Sequence, residues 1–142
     1  MSSSIKKAIL VDTDFLFAYF VGTDALHRSA VKLFESYRDL DWYMLVPTFA
    51  EFLTTLSNKS SKRDSNLAFF AIKELGISLL DTERSLWDKA FDLFLEQKKK
   101  HTSVIDCLNL VYFQESTIPF YKIASFDKFY GDLRLTVVDS KS

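Results

Sequence analysis

The sequence predicts an α/β fold built on a mainly parallel sheet of five strands, and three observations predict it. Short apolar runs without polar alternation recur along the chain, as in Ala8-Ile9-Leu10-Val11, and such runs suit strands buried on both faces. Longer segments with apolar residues at helical spacing separate them, and strands alternating with helices imply parallel pairing. Finally, 3 Gly and 2 Pro in 142 residues leave few special turns, which excludes a loop-rich sandwich.

In order, Ala8 to Val11 is the first strand, and Phe15 to Val21 a short helix ended by Gly22-Thr23-Asp24. Thr23 or Asp24 is placed to cap a helix reaching about Tyr37, with Ala30, Val31 and Phe34 on its inner face. Trp42 to Val46 is the second strand, closed by Pro47. Thr48 and Glu51 then have the spacing of a capping box opening a helix through Phe52, Leu53 and Leu56 to a break at Asn58 to Ser61. Asp64 to Leu75 is helical with Gly76 as its stop, and Ile77 to Leu80 is the third strand. Asp81 or Thr82 opens a helix to about Lys100, with Trp87, Ala90, Phe91 and Phe94 as its buried stripe and Lys98-Lys99-Lys100 at its negative end. Thr102 or Ser103 starts the helix that carries Asp106 and Leu110. Tyr121 to Ser125 and Leu133 to Val138 are the fourth and fifth strands. No linker or repeat interrupts residues 1–142, so one domain is expected.

An apolar fraction of 48%, with 14 Phe, 6 Tyr and 2 Trp, supplies a substantial core. The formal net charge of −1 does not single out a polyanionic partner, although local Lys and Arg clusters can still meet phosphate. Cys107 is the sole cysteine, so an intrachain disulfide or a cysteine metal site is excluded, which fits a reducing cytoplasm. The apolar stretch after Lys6-Lys7 is too short for a signal peptide or a membrane span.

Four acids stand where an apolar run gives way to a turn or a helix start: Asp12, Glu51, Asp106 and Asp127. Ligands of open parallel sheets bind beyond the C-terminal strand ends, so these four can meet at one edge. Carboxylates gathered there would repel one another unless a cation lay between them. Oxygen ligands without His or Cys suit Mg²⁺ or Mn²⁺. Each acid also has a local role open to it: Asp12 or Asp14 as a helix cap, Glu51 as partner of Thr48, and Asp127 as a turn residue. Thr13 and Ser125 are hydroxyls able to hold the carboxylates in place, and Asp14 adds charge beside them. Asn109 lies one helical turn beyond Asp106 on the same side. Lys59, Lys62, Arg63, Lys98 to His101, and Lys128 are available to meet phosphate, while His27 and His101 read as structural or surface residues.

The segments Ile9-Leu10-Val11-Asp12-Thr13-Asp14, Pro47-Thr48-Phe49-Ala50-Glu51, Asp106-Cys107-Leu108-Asn109-Leu110 and Ala124-Ser125-Phe126-Asp127-Lys128-Phe129 resemble, in order and spacing, the PIN-domain nucleases. His27-Arg28-Ser29-Ala30 resembles the family's His-x-x-Ala segment. The resemblance implies a three-layer α/β/α sandwich with a five-stranded sheet. It also implies a Mg²⁺- or Mn²⁺-dependent endoribonuclease using Asp12, Glu51, Asp106 and Asp127 as metal-holding, catalytic residues. Members of this length are most often VapC-like toxins, so a small antitoxin and a homodimer are implied as partners. Asp14, where relatives often carry Asn or Ser, and Cys107, where Ala is common, depart from the pattern. Two other readings compete. One is a non-catalytic interaction module. The other is a haloacid-dehalogenase-type phosphotransferase, suggested by Asp12-Thr13-Asp14 but opposed by Phe15-Leu16, where that class carries a small pair.

Overall fold

The four residues of the first strand, β1 (Ala8–Val11), are all buried, as a continuous apolar run in the centre of a sheet requires. In the computed structural model, which describes residues 7–136, β1 pairs in parallel with β2 (Asp41–Leu45) on one side and β4 (Phe120–Ala124) on the other. β3 (Ile77–Leu80) extends the sheet from β2, giving the order β3-β2-β1-β4.

Alternation along each strand divides the apolar residues between two cores. Ile9, Val11, Trp42, Met44 and Ile77 face α1 (Thr13–Phe20), α2 (His27–Ser36), α3 (Val46–Lys59) and α4 (Lys62–Glu74), where Phe15, Phe34, Phe52 and Ile72 complete the packing. Leu10, Leu45 and Ile123 face the other way, toward α5 (Arg84–Glu96) and α6 (Val104–Glu115), and meet Ala90, Leu108 and Val111. The fold is thus α/β, with a parallel sheet between two helical layers. Among the described residues, no helix is long and apolar enough to cross a membrane.

Among the described residues the strand count is four, not five. Leu133 closes a 3₁₀ helix over Lys128–Leu133, and Arg134 makes only an isolated bridge to Ile123. Val137 and Val138 lie outside the described residues.

Several boundaries depart from the sequence expectation. α3 begins directly at the end of β2, because Pro47 suits a first-turn position where no N–H partner is needed. That places Thr48 inside the helix, so Thr48 and Glu51 form no capping box. α2 starts at His27, and neither Thr23 nor Asp24 is its N-cap; the Asp24 carboxylate instead accepts from the Leu26 N–H at 2.8 Å. α5 ends at Glu96, leaving Lys98-Lys99-Lys100 in the following loop. Within α5 only Ala90 is buried, with Leu86, Trp87 and Leu93 half-buried, while Phe91 and Phe94 face solvent. Gly76 does stop α4: its φ of 79° is the left-handed conformation such a stop requires.

Candidate active site

β1 and β4 are neighbours in the sheet yet stand first and last of the four strands in sequence. The connections leaving them start toward opposite layers, and the crevice beyond such a switch point is where open α/β sheets bind ligands. A cleft of about 420 Å³ lies there, and Asp12, Thr13, Asp14, Glu51, Asp106 and Asp127 all line it. Ser125 supports it from behind. The seven expected site residues therefore come together from four separate stretches of chain.

Asp12 follows β1 and caps α1, accepting from the Thr13 N–H at 2.8 Å. Capping leaves the same carboxylate on the wall of the cleft. Its Oδ1 also accepts from Asn109 Nδ2 at 3.2 Å, and its Oδ2 accepts from Ser125 Oγ at 3.0 Å. Asp12 is 3% exposed, and loss of hydration, joined by the charges of Asp14 and Asp106, holds its carboxyl well above the usual range. Asp14 is raised to about 6, mainly by burial, although the Phe126 N–H and the Ser125 hydroxyl bind its charged form. Asp106 is raised too, by burial first and then by Asp127 and Glu51.

Asp106 also does local work: it is the third residue of α6 and closes a capping box with Ser103. Its Oδ2 accepts from the Ser103 N–H at 2.9 Å, while the Asp106 N–H donates to Ser103 Oγ at 3.0 Å. Glu51 accepts from the Thr13 hydroxyl at 2.6 Å. Asp127 caps the 3₁₀ helix through the Phe129 N–H at 2.9 Å.

Behind the acids lies a buried polar network that sequence reasoning ranked low or missed. Asn109 is fully buried; its Nδ2 reaches Asp12 Oδ1 and Tyr130 Oη, and its Oδ1 accepts from Thr48 Oγ1 at 3.0 Å. Tyr130 Oη also lies 3.4 Å from Asp106 Oδ1. Burial and the charges of Asp12 and Asp106 drive the Tyr130 phenol far above its usual range, so it stays protonated. Among the described residues, no buried side-chain nitrogen or oxygen lacks a partner. The spacing of Asn109 from Asp106 was the available signal for that residue. Tyr130 had none, because a 3₁₀ turn carries no readable periodicity.

The basic residues separate. Lys59 and His101 line the acidic cleft, whereas Lys62 lines a different recess beside α3. His27 is structural, its Nδ1–H donating to the Ala18 carbonyl at 2.8 Å and tying α2 to α1.

Among the described residues, no three His, Cys, Asp or Glu side chains form a ready-made metal cage. The donor chemistry nonetheless suits a hard dication: the acids offer only oxygen, and burial makes their charge costly without one. One oxygen each of Glu51 and Asp127 takes part in no hydrogen bond among the described residues.

No family model and no curated protein sequence matches the chain. The crystal structure of Mycobacterium tuberculosis VapC20, a sarcin–ricin loop cleaving toxin, is similar to it with a TM-score of 0.76. The two are 19% identical, and the match covers 92% of this chain and 98% of that one. The fold is therefore that of a PIN-domain protein.

Proposed function

We propose that this protein is a Mg²⁺- or Mn²⁺-dependent endoribonuclease, acting in the cytoplasm as the toxin of a toxin–antitoxin pair. One observation carries the proposal: acids from separate elements line one cleft at the switch point, and burial, with the charges of neighbouring acids, raises the pKa of three of them. The likeness in fold to a toxin that cleaves the sarcin–ricin loop supports RNA as the substrate. A small antitoxin and a second copy of the chain are the protein partners this reading carries, and one domain holds the whole site.

Asp12, Glu51, Asp106 and Asp127 would hold the cation, with Asp14 beside them. What a dication supplies to such a cleft is Lewis acidity toward water and compensation of the negative charge on a scissile phosphate. The chain's own residues do the rest. The Ser125 hydroxyl and Asn109 amide fix both oxygens of Asp12. The Thr13 hydroxyl holds Glu51 toward β1, and the Ser103 backbone fixes one oxygen of Asp106. Preset donors of this kind spare the site from reorganising when substrate arrives.

The test is cleavage of structured RNA by purified protein with and without Mg²⁺, beside Asp12→Asn and Asp106→Asn. Both variants are expected to lose at least about a hundredfold in rate, the scale of removing a group that stabilises transition-state charge, while keeping native circular dichroism. Unchanged cleavage in both would overturn the proposal. RNA left intact, with no Mg²⁺ binding by calorimetry, would leave the fold as a non-catalytic interaction module.

A further inference from the structure

Lys99 and Lys100, outside any helix, lie where the α5–α6 loop approaches the turn that follows β4. The two segments enclose a second groove of about 350 Å³, lined among others by Lys99, Lys100, His101, Lys128 and Phe129. His101 and Asp127 line both this groove and the acidic cleft, so the two adjoin.

Their charges are opposite. The cleft has six carboxylates against Lys59 and His101, whereas the groove has three lysines against Asp127 alone. None of these three lysines pairs with another described residue. Solvated lysines are the usual currency of phosphate binding, since each phosphate neutralised releases condensed counterions. The groove exceeds the roughly 300 Å³ at which small-ligand pockets begin, which suits a nucleotide unit rather than a folded element. Phe129, half-buried and packed edge-on against Tyr130 at 5.2 Å between ring centroids, gives it an apolar wall.

We infer that this groove is a subsite for single-stranded RNA next to the scissile bond. Lys99, Lys100 and Lys128 hold backbone phosphates there, and Phe129 lies against a base or sugar. The inference rests on the ribonuclease reading and adds the path of the strand: it leaves the acidic cleft past His101, between the α5–α6 loop and the 3₁₀ helix. Lys62 and Arg63, in the same chain but away from this groove, serve as the internal control.

The experiment is fluorescence anisotropy with a labelled single-stranded RNA, without divalent cation so that nothing is cut, across a salt series. In the triple variant Lys99→Ala, Lys100→Ala, Lys128→Ala, affinity is expected to fall about tenfold or more at low salt. The slope of log affinity against log salt should decrease by about 2, the counterions released by three single-strand contacts. Lys62→Ala with Arg63→Ala should keep the slope of the unaltered protein. A triple variant with unaltered affinity and slope overturns the subsite, even if the native protein cleaves RNA. Stronger binding of an oligoglutamate than of RNA of equal charge also overturns it, assigning the groove to an acidic peptide. A native protein that neither binds nor cleaves RNA overturns the ribonuclease reading itself. The lysines are exposed, and unaltered thermal melting of the triple variant confirms that only binding has changed.

Discussion

Asp12 and Asp14 are held in place by strong donors and still cost the protein stability when ionised. For Asp14 the sign follows from its carboxyl sitting near 6 when folded, against an ordinary value of 3.8. Between those values the folded chain keeps the proton and the unfolded chain has lost it, so stability falls as pH rises from about 4 to about 6. Asp12 and Asp106 are raised as well and add the same trend. In metal-free protein, Asp14→Asn should therefore be stabilising above pH 6, with its advantage shrinking toward pH 4, as urea titrations at several pH values would measure. Added Mg²⁺ should narrow the gap at pH 7. Asn109 is a different case, since it joins Asp12, Thr48 and Tyr130. Asn109→Ala strands the buried Thr48 hydroxyl and takes one donor from Asp12, and is expected to cost about 1–3 kcal/mol, the penalty of unsatisfied buried groups. It should also weaken Mg²⁺ binding by calorimetry. The acids were legible in the sequence because each ends an apolar run. The network behind them was not, because which buried polar groups meet depends on how the layers pack.

At the scale of elements, two helix starts exchanged roles. Thr48-x-x-Glu51 has the capping-box spacing, but Pro47 lets α3 begin two residues before Thr48, which then turns inward to Asn109. Ser103-x-x-Asp106 makes the actual box, with aspartate in place of the longer acid. One side chain thus anchors α6 and lines the cleft. Ser103→Ala should accordingly do two separable things. It should destabilise the protein by about 1 kcal/mol, the usual cost of an N-cap. It should also lower cleavage through Asp106, whose backbone loses its anchor; a stability loss with undiminished cleavage would confine Ser103 to capping. The helix register on α5 was half legible: Trp87 and Ala90 do pack inward, while Phe91 and Phe94 do not. Aromatic residues alone do not set a buried stripe.

At the scale of the molecule, the sheet belongs to both cores. Adjacent residues of one strand, such as Ile9 and Leu10, support opposite layers, so neither layer should unfold without the other. The two tryptophans report on this separately, Trp42 from the first core and Trp87 from the second. Single-tryptophan versions made by Trp42→Phe or Trp87→Phe should each give a fluorescence transition in urea that coincides with that variant's own loss of circular dichroism. Separate midpoints within one variant would mean that the layers unfold independently. The parallel α/β class was legible because uninterrupted apolar runs and intervening helices leave few other arrangements. The fifth strand was not, since Leu133 to Leu135 is apolar enough for a strand yet is taken up by the end of the 3₁₀ helix and one bridge.

The order β3-β2-β1-β4 also has a temporal side. During synthesis Asp12 leaves the ribosome more than a hundred residues before Ser125, Asp127 and Tyr130, which complete its surroundings. Until β4 docks beside β1, the nascent chain has no assembled cleft. If the proposed ribonuclease reading holds, a chain threaded in this order stays inert beside the RNA-rich machine that makes it until β4 docks.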